Sequence, residues 1–261
     1  MDDQTAVAEA AATAGAEVAI GGFRTEMDVE TKAGKTDVVT AFDRNAQRAV
    51  IDVIRESDAA VAVVGEEEDE LKEIPESGPC WVVDPIDGTS NFVSGVPIWA
   101  TSVAAAVDGE AVAAANVLPA LDDVYVTDGE ETTLNGEPVS VSAASDPETF
   151  TVAPTLRWSR DSAPALGALC RDLIADYGDI RRFGSAQATL AMVASGQIEA
   201  AVSAVPSHPW DTVAGVAMVR AAGGTVSDVH GERWTPDATG LIASNDTAHD
   251  ALVETARTAL E

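Results

Sequence analysis

The sequence predicts an α/β fold, in which helices cover sheets, because two hydrophobic periods alternate along the chain. Beyond residue 150, short apolar runs at 151–153, 180–183, 200–204, 225–229 and 241–243 take turns with helical stretches near 162–176, 185–194, 209–222 and 247–260. Earlier, two valine-rich apolar runs, 61–64 and 81–83, lead into acidic residues, the first through Gly65 and the second directly. Of 261 residues 46% are hydrophobic, enough to bury a substantial core.

Residues 4–20 are Ala-rich with amphipathic spacing and meet Gly21-Gly22, a helix followed by its stop. Residues 24–40, with Lys32, Gly34 and Lys35, read as an exposed mobile loop or hairpin. Thr40 can cap a helix over 41–58, with Asp43 at its third position completing a capping box. The buried strand 61–64 opens into Gly65-Glu66-Glu67-Glu68-Asp69-Glu70. Segments 98–107 and 111–118 flank Asp108-Gly109, a hairpin signal. Residues 123–127 and a piece near Thr133 add edge strands, with Asn135-Gly136 as a further turn. A small-polar stretch with a proline, 142–148, sets the expected boundary between halves 1–145 and 146–261. In the second half Gly223-Gly224 ends the helix over 209–222.

The stretch Trp81-Val82-Val83-Asp84-Pro85-Ile86-Asp87-Gly88-Thr89-Ser90-Asn91-Phe92 carries the chemistry. Pro85 has no N–H and disfavours helix at Asp84, so the strand is expected to stop at Asp84. Gly88 and Thr89 open a short helical turn whose unpartnered N–H groups suit a phosphate oxygen. Two carboxylates beside an anion cradle imply cations between them. Asp-x-x-Asp alone carries no weight in a chain with 44 acids, whereas the full string gives each residue a separate task.

The string Asp84-Pro85-Ile86-Asp87-Gly88-Thr89-Ser90-Asn91-Phe92 resembles the signature of the inositol monophosphatase family, within the larger group of fructose-1,6-bisphosphatases and nucleotide 3'-phosphatases. Other segments extend the resemblance: Gly65-Glu66-Glu67, Trp210-Asp211 leading to Gly223-Gly224, the run from Lys35 to Asp43, and Gly184-Ser185-Ala186. By chemistry alone the acid run is a solvated loop, Asp43 and Asp211 are ordinary first-turn helix acids, and Ser185 is an ordinary N-cap. The resemblance implies more: a layered αβαβα sandwich, commonly dimeric, that hydrolyses a small phosphate monoester with two or three Mg²⁺ ions. Mn²⁺ would substitute and Li⁺ would inhibit. Glu66, Asp84 and the Ile86 carbonyl would hold one ion, and Asp84, Asp87 and Asp211 a second. Thr89, paired with Asp43 and aided by Glu66, would orient the attacking water. Asp87, Gly88, Thr89, Gly184, Ser185, Ala186 and Asp211 would contact substrate. Glu67 would support Glu66, Glu68 to Glu70 would stay solvated, and His208 would cap or pack. Lys35 and Asp37 would reach a further metal from the loop.

Ala204 stands where inositol-preferring members carry a glutamate, which opens the substrate to fructose-1,6-bisphosphate, alone or with inositol phosphate, to histidinol phosphate and to 3'-phosphoadenosine phosphate. Arg157, Arg160, Arg181 and Arg182 would meet a second phosphate. A non-catalytic metal- or phosphate-binding regulator is the alternative of another class.

Net charge is -29, from 44 acids against 15 bases, of which only Lys32, Lys35 and Lys72 are lysines. The acids are dispersed, so the charge describes a surface rather than a disordered tail. We read it as adaptation to a salty cytoplasm, hence a halophilic archaeal-type protein; an ordinary acidic protein is the alternative. The charge opposes binding to nucleic-acid backbone. No apolar run is long enough to span a bilayer, and the start lacks a basic-then-apolar leader, so a cytoplasmic protein is expected. Cys80 and Cys170, without CxxC spacing, should pack as reduced apolar residues.

Overall fold

Helix α1 (Asp2–Ile20) presents a face of small residues, Ala8, Ala11, Ala12 and Ala16, all fully or nearly fully buried. The computed structural model describes residues 2–31, 38–68, 70–154 and 160–260. A hairpin of β1 (Val29–Thr31) and β2 (Val38–Thr40) follows, as one of the two expected forms of that segment, and leads into α2 (Ala41–Ser57). Lys35 and Asp37 lie outside the described residues, as do Asp69 and Arg157. Gly15 lets α1 sit against α2, since a Cβ there would stand 2.6 Å from Val50.

Seven strands form the first sheet: β3 (Ala62–Gly65), β4 (Pro79–Asp87), β5 (Ala100–Val107), β6 (Glu110–Leu118), β7 (Asp123–Thr127), β8 (Thr132–Leu134) and β9 (Glu137–Val139), in that spatial order. β3 and β4 are parallel and the later pairs antiparallel. Asp108-Gly109 and Asn135-Gly136 make the tight hairpin turns, each with both residues at positive φ (51° and 83°, 53° and 82°). The sheet extends further than expected, because β9 adds a strand and leaves β7 in the interior. Between β4 and β5 in the chain lies α3 (Thr89–Val93).

The second sheet runs β11-β10-β12-β14-β13, from β10 (Thr151–Ala153), β11 (Asp179–Ile180), β12 (Ala200–Ser203), β13 (Thr225–Ser227) and β14 (Leu241–Ser244). Its helices are α4 (Ala163–Asp176), α5 (Ala186–Ala194), α6 (Pro209–Ala221) and α7 (His249–Thr258). The expected strand over 180–183 is only Asp179–Ile180. Its chain then turns away, and the Phe183 carbonyl is taken by Asn91 Nδ2 at 2.8 Å.

Alternation along the strands sorts the core into layers. Trp81, Val83, Val103 and Ala115 face α1 and α2, while Val82, Ala104, Ala114 and Leu118 face α5 and α6. The second sheet repeats this: Ala153, Ala201 and Ala243 join the α5–α6 core, and Val152, Ala200 and Ile242 pack on α4 and α7. The order is therefore helices, sheet, helices, sheet, helices, the expected αβαβα sandwich. Coverage on both faces explains why 81–83 reads as a continuous apolar run. No helix among the described residues is long and apolar enough to cross a membrane. Cys80 is buried and Cys170 half-buried, and burial raises both thiol pKa values, which suits packing.

His249 fastens α7 to the second sheet. Its Nδ1 lies 2.8 Å from Ser244 Oγ and its Nε2 2.9 Å from Ser227 Oγ. Ser227 spends its proton on the Asp228 carbonyl, so Nε2 must donate and Nδ1 accept, the neutral ring. Burial lowers the His249 pKa, against the opposing pull of Asp246 and Asp250. As pH falls below about 6.5 the unfolded chain therefore takes up this proton before the folded one, and stability is lost. Thermal melts should show H249Q less stable than the parent at pH 8, with a shallower decline between pH 6.5 and 5; equal slopes would contradict the assignment.

Candidate active site

Two parallel strands deliver the first acids. Val63 pairs with Trp81 and Gly65 with Val83, so both chains leave the same end of the sheet, β3 into Glu66 and β4 through Asp84. The Glu66 N–H extends the ladder to the Val83 carbonyl (3.3 Å).

β4 does not stop at Asp84, as Pro85 led us to expect; it continues to Asp87. Asp84 pairs with Ser102 and Asp87 with Ala100, so the register slips by one residue between them. Pro85 is tolerated at such a bulge because no ladder N–H is required there. Its carbonyl accepts from Thr101 Oγ1 (2.8 Å), and Ile86 N–H donates to Asp84 Oδ1 (3.1 Å). In a regular strand residues three apart point to opposite faces; the extra residue brings Asp84 and Asp87 to the same side.

Asp87 is held from across the molecule by the start of α5. Ala186 N–H donates to Oδ1 (3.1 Å), Gln187 N–H to Oδ2 (2.7 Å), and the Ser185 hydroxyl also donates to Oδ2. Ser185 and Ala186, expected to touch substrate, thus have these donors on Asp87. Gly88 (φ 92°) and Gly184 (φ 82°) allow this contact, since a Cβ on Gly88 would stand 3.1 Å from the Gly184 carbonyl and from Ser185.

Asp211 lies in the first turn of α6 and accepts from the His208 N–H (3.1 Å). His208 stacks on Trp210 with ring centroids 4.6 Å apart, the packing role expected of it. Carboxylate oxygens of Asp84, Asp87 and Asp211 lie within 4.8 Å of one another, and the Glu66 carboxyl reaches Asp84 from beside that group. Burial raises the Asp84 pKa well above the usual carboxylate range, and Glu66, Asp87 and Asp211 push it further. Burial also raises Asp87, while the Ser185, Gln187 and Ala186 donors oppose the shift. Hard oxygen donors carrying excess negative charge fit a divalent cation such as Mg²⁺.

Asp43 and Thr89 meet beside this group. Thr89 Oγ1 lies 3.0 Å from Asp43 Oδ1 and 3.1 Å from the Ile86 carbonyl. The second Asp43 oxygen accepts from both Thr40 N–H (2.8 Å) and Thr40 Oγ1 (2.7 Å), the capping box read from the sequence. Burial raises the Asp43 pKa and the Thr40 and Thr89 hydrogen bonds lower it.

Lys72 was not legible as a site residue. Its ammonium donates to the carbonyls of Gly65 (2.8 Å) and Glu66 (3.0 Å) and stands 5.8 Å from the centre of the Trp210 ring. A lone lysine in an acidic loop gives no sequence signal for such a tie. Glu67 is buried and its backbone is clasped by Gln47, through Oε1 (2.9 Å) and Nε2 (2.6 Å).

The family model described as Inositol monophosphatase family matches residues 1–261. The sequence is 32% identical over 236 residues to the fructose-1,6-bisphosphatase/inositol-1-monophosphatase of Thermotoga maritima, covering 90% of this chain and 88% of that one. It is 31% identical over 229 residues to Nus factor SuhB of Escherichia coli K12, covering 87% and 85%. The fold is similar to that of a solved Thermotoga maritima IMPase, with TM-score 0.88, 30% identity and coverage of 100% and 98%.

The crowded carboxylates should cost the fold stability when no divalent cation is bound. In EDTA, D84N should melt above the parent, by roughly 2–4 °C for each kcal/mol of repulsion removed. Added Mg²⁺ should raise the melting temperature of the parent and not of D84N. A lower melting temperature for D84N in EDTA would refute this account.

Proposed function

The chain belongs to the inositol monophosphatase family, and from that premise we propose that it hydrolyses phosphate monoesters of inositol or related sugars with Mg²⁺. The family membership makes it a phosphoric monoester hydrolase; the metal, the substrate and the residue roles are our reading. The observation that carries this reading is the meeting of Asp84, Asp87 and Asp211 within 4.8 Å, beside Glu66 and the Asp43–Thr89 pair.

Asp84, Asp87 and Asp211 would hold one ion; Glu66, Asp84 and the Ile86 carbonyl would hold another. When bound, Mg²⁺ offsets the charge of phosphate and acidifies water. Thr89 gives its proton to Asp43 Oδ1, which leaves the Thr89 oxygen to accept from a water and aim it at phosphorus. Asp43 fixes that direction, because Thr40 clamps its other oxygen. The Gly88 and Thr89 N–H groups, at the opening of α3, would meet phosphate oxygens. Ser185 and Ala186 would act by fixing Asp87, and Gly184 by shaping the wall. Positioning and charge compensation of this kind supply most of what phosphoryl transfer requires.

Residues 1–145 would bring most of the ligands and residues 146–261 would bring Asp211. Ala204, buried, offers no carboxylate to inositol hydroxyls. Arg181 is engaged by Asp179 (2.9 Å), which leaves Arg160 and Arg182 as described cations for a second phosphate. This keeps fructose-1,6-bisphosphate beside inositol phosphate as substrate. The charge of -29 supports a cytoplasmic protein adapted to high salt, and the family resemblance supports a homodimer and inhibition by Li⁺.

Similarity to Nus factor SuhB favours a second reading, a regulatory partner rather than a working phosphatase. The negative charge counts against direct contact with nucleic-acid backbone. Phosphate release from a panel of inositol-1-phosphate, fructose-1,6-bisphosphate and histidinol phosphate, at high KCl, separates the two. We expect Mg²⁺-dependent turnover that EDTA abolishes, and none from D87N with an unchanged circular dichroism spectrum. T89A should lose at least about tenfold in kcat with little change in KM. No release from any monoester would favour the regulator, and near-normal turnover by D87N would remove Asp87 from the metal set.

A further inference from the structure

Resting on the reading that Asp87 and Asp211 share a cation, we infer that Gln187 is a positioning residue that sets the distance between them. Asp87 ends a strand of the first sheet, whereas Asp211 begins a helix from the other half of the chain. Gln187 touches the support of both. Its backbone N–H donates to Asp87 Oδ2 (2.7 Å), and its side chain reaches across to α6. There Nε2 donates to the Trp210 carbonyl (2.6 Å) and Oε1 accepts from the Gly215 N–H (2.9 Å). These two contacts bracket Asp211, one at the residue before it and the other a turn below.

A fully buried amide among Ala186, Ala188, Leu190 and Ala191 is costly unless satisfied. Besides α6 it has one further partner, Asn116 Nδ2, 3.0 Å from Oε1. Asn116 is itself fully buried on β6, and its Oδ1 has no hydrogen-bond partner among the described residues. Two polar side chains are thus carried inside the middle layer, one imperfectly satisfied, where apolar residues would pack at less cost. Gly215 serves the same contact: a Cβ there would lie 3.0 Å from Gln187 Oε1 and 2.5 Å from Leu190. The Gly215 N–H and the Trp210 carbonyl both turn to this one amide, which thereby fixes where they stand relative to Asp87.

The test is Gln187→Met in the full chain, which keeps volume and removes all three side-chain hydrogen bonds. Mn²⁺ binding would be followed by calorimetry and electron paramagnetic resonance, alongside the Mg²⁺ dependence of phosphate release. With circular dichroism unchanged, we expect the Mn²⁺ dissociation constant to rise about tenfold, the half-activating Mg²⁺ concentration to rise in parallel, and kcat at saturating metal to recover to within about twofold. A lower melting temperature with unchanged Mn²⁺ affinity would make Gln187 a packing residue and overturn the inference. If Q187M does not fold, Q187N serves, since its amide is one methylene too short for both α6 contacts. The same shift is expected and unchanged affinity again overturns. D211N separates the two readings. If it binds Mn²⁺ as the parent does, the shared cation fails and this inference with it. If it has lost the ion while Q187M has not, only the role of Gln187 fails.

Discussion

Like charges held close in a buried place are the constraint to which the rest of this structure answers. Three carboxylates with oxygens within 4.8 Å, and a fourth beside Asp84, repel one another by about 3–4 kcal/mol for each ionised pair at the effective dielectric of a protein. Without a cation, the raised pKa of Asp84 lets a proton relieve part of this repulsion, and the scaffold opposes the rest. It does so with backbone N–H groups and helix ends rather than with arginine. Asp87 draws on the start of α5, Asp84 on Ile86 N–H, and Asp211 on the turn that His208 opens. Each tie fixes a carboxylate while leaving it able to bind metal, which an ion pair to arginine would not.

Bringing two halves of a chain to one point also requires backbones to come close. Gly15 does this for α1 against α2, Gly88 and Gly184 for the two loops at Asp87, and Gly215 for α6 against α5. Small residues on α1 and in the middle layer serve the same end, with alanine filling places where larger side chains would push the layers apart. Four aromatic residues, Phe23, Phe42, Phe92 and Trp99, form a group of their own at α3. There Phe92 meets Trp99 edge-to-face, and the turn carrying Thr89 gains a firm backing.

Much of this was legible in the residue order. Turn chemistry at Asp108-Gly109 and Asn135-Gly136, the capping box of Thr40 and Asp43, and the alternation of the second half all act locally, and local signals survive in a sequence. Pro85 misled because a proline that normally ends a strand can also occupy a bulge, and only pairing with β5 distinguishes the two. The strand near 180 was overestimated because the Phe183 carbonyl is claimed by Asn91, a partner 92 positions away. The pairing of Asp43 with Thr89 was reached through the family resemblance, not through spacing. Lys72 and Gln187 gave no signal, since each acts by where its neighbours fold rather than by what stands next to it.

The layer order has a consequence for synthesis. The first sheet is complete in sequence by Val139, and α1 and α2 can cover one of its faces at once. Its other face, with Val82, Ala104, Ala114 and Leu118, is covered by α5 and α6, which begin only at Ala186 and Pro209. A ribosome adding residues at roughly 5–20 per second therefore leaves that surface bare for several seconds. The nascent chain is most vulnerable to sticking during that interval, and the helix that ends it is the one that delivers Asp211.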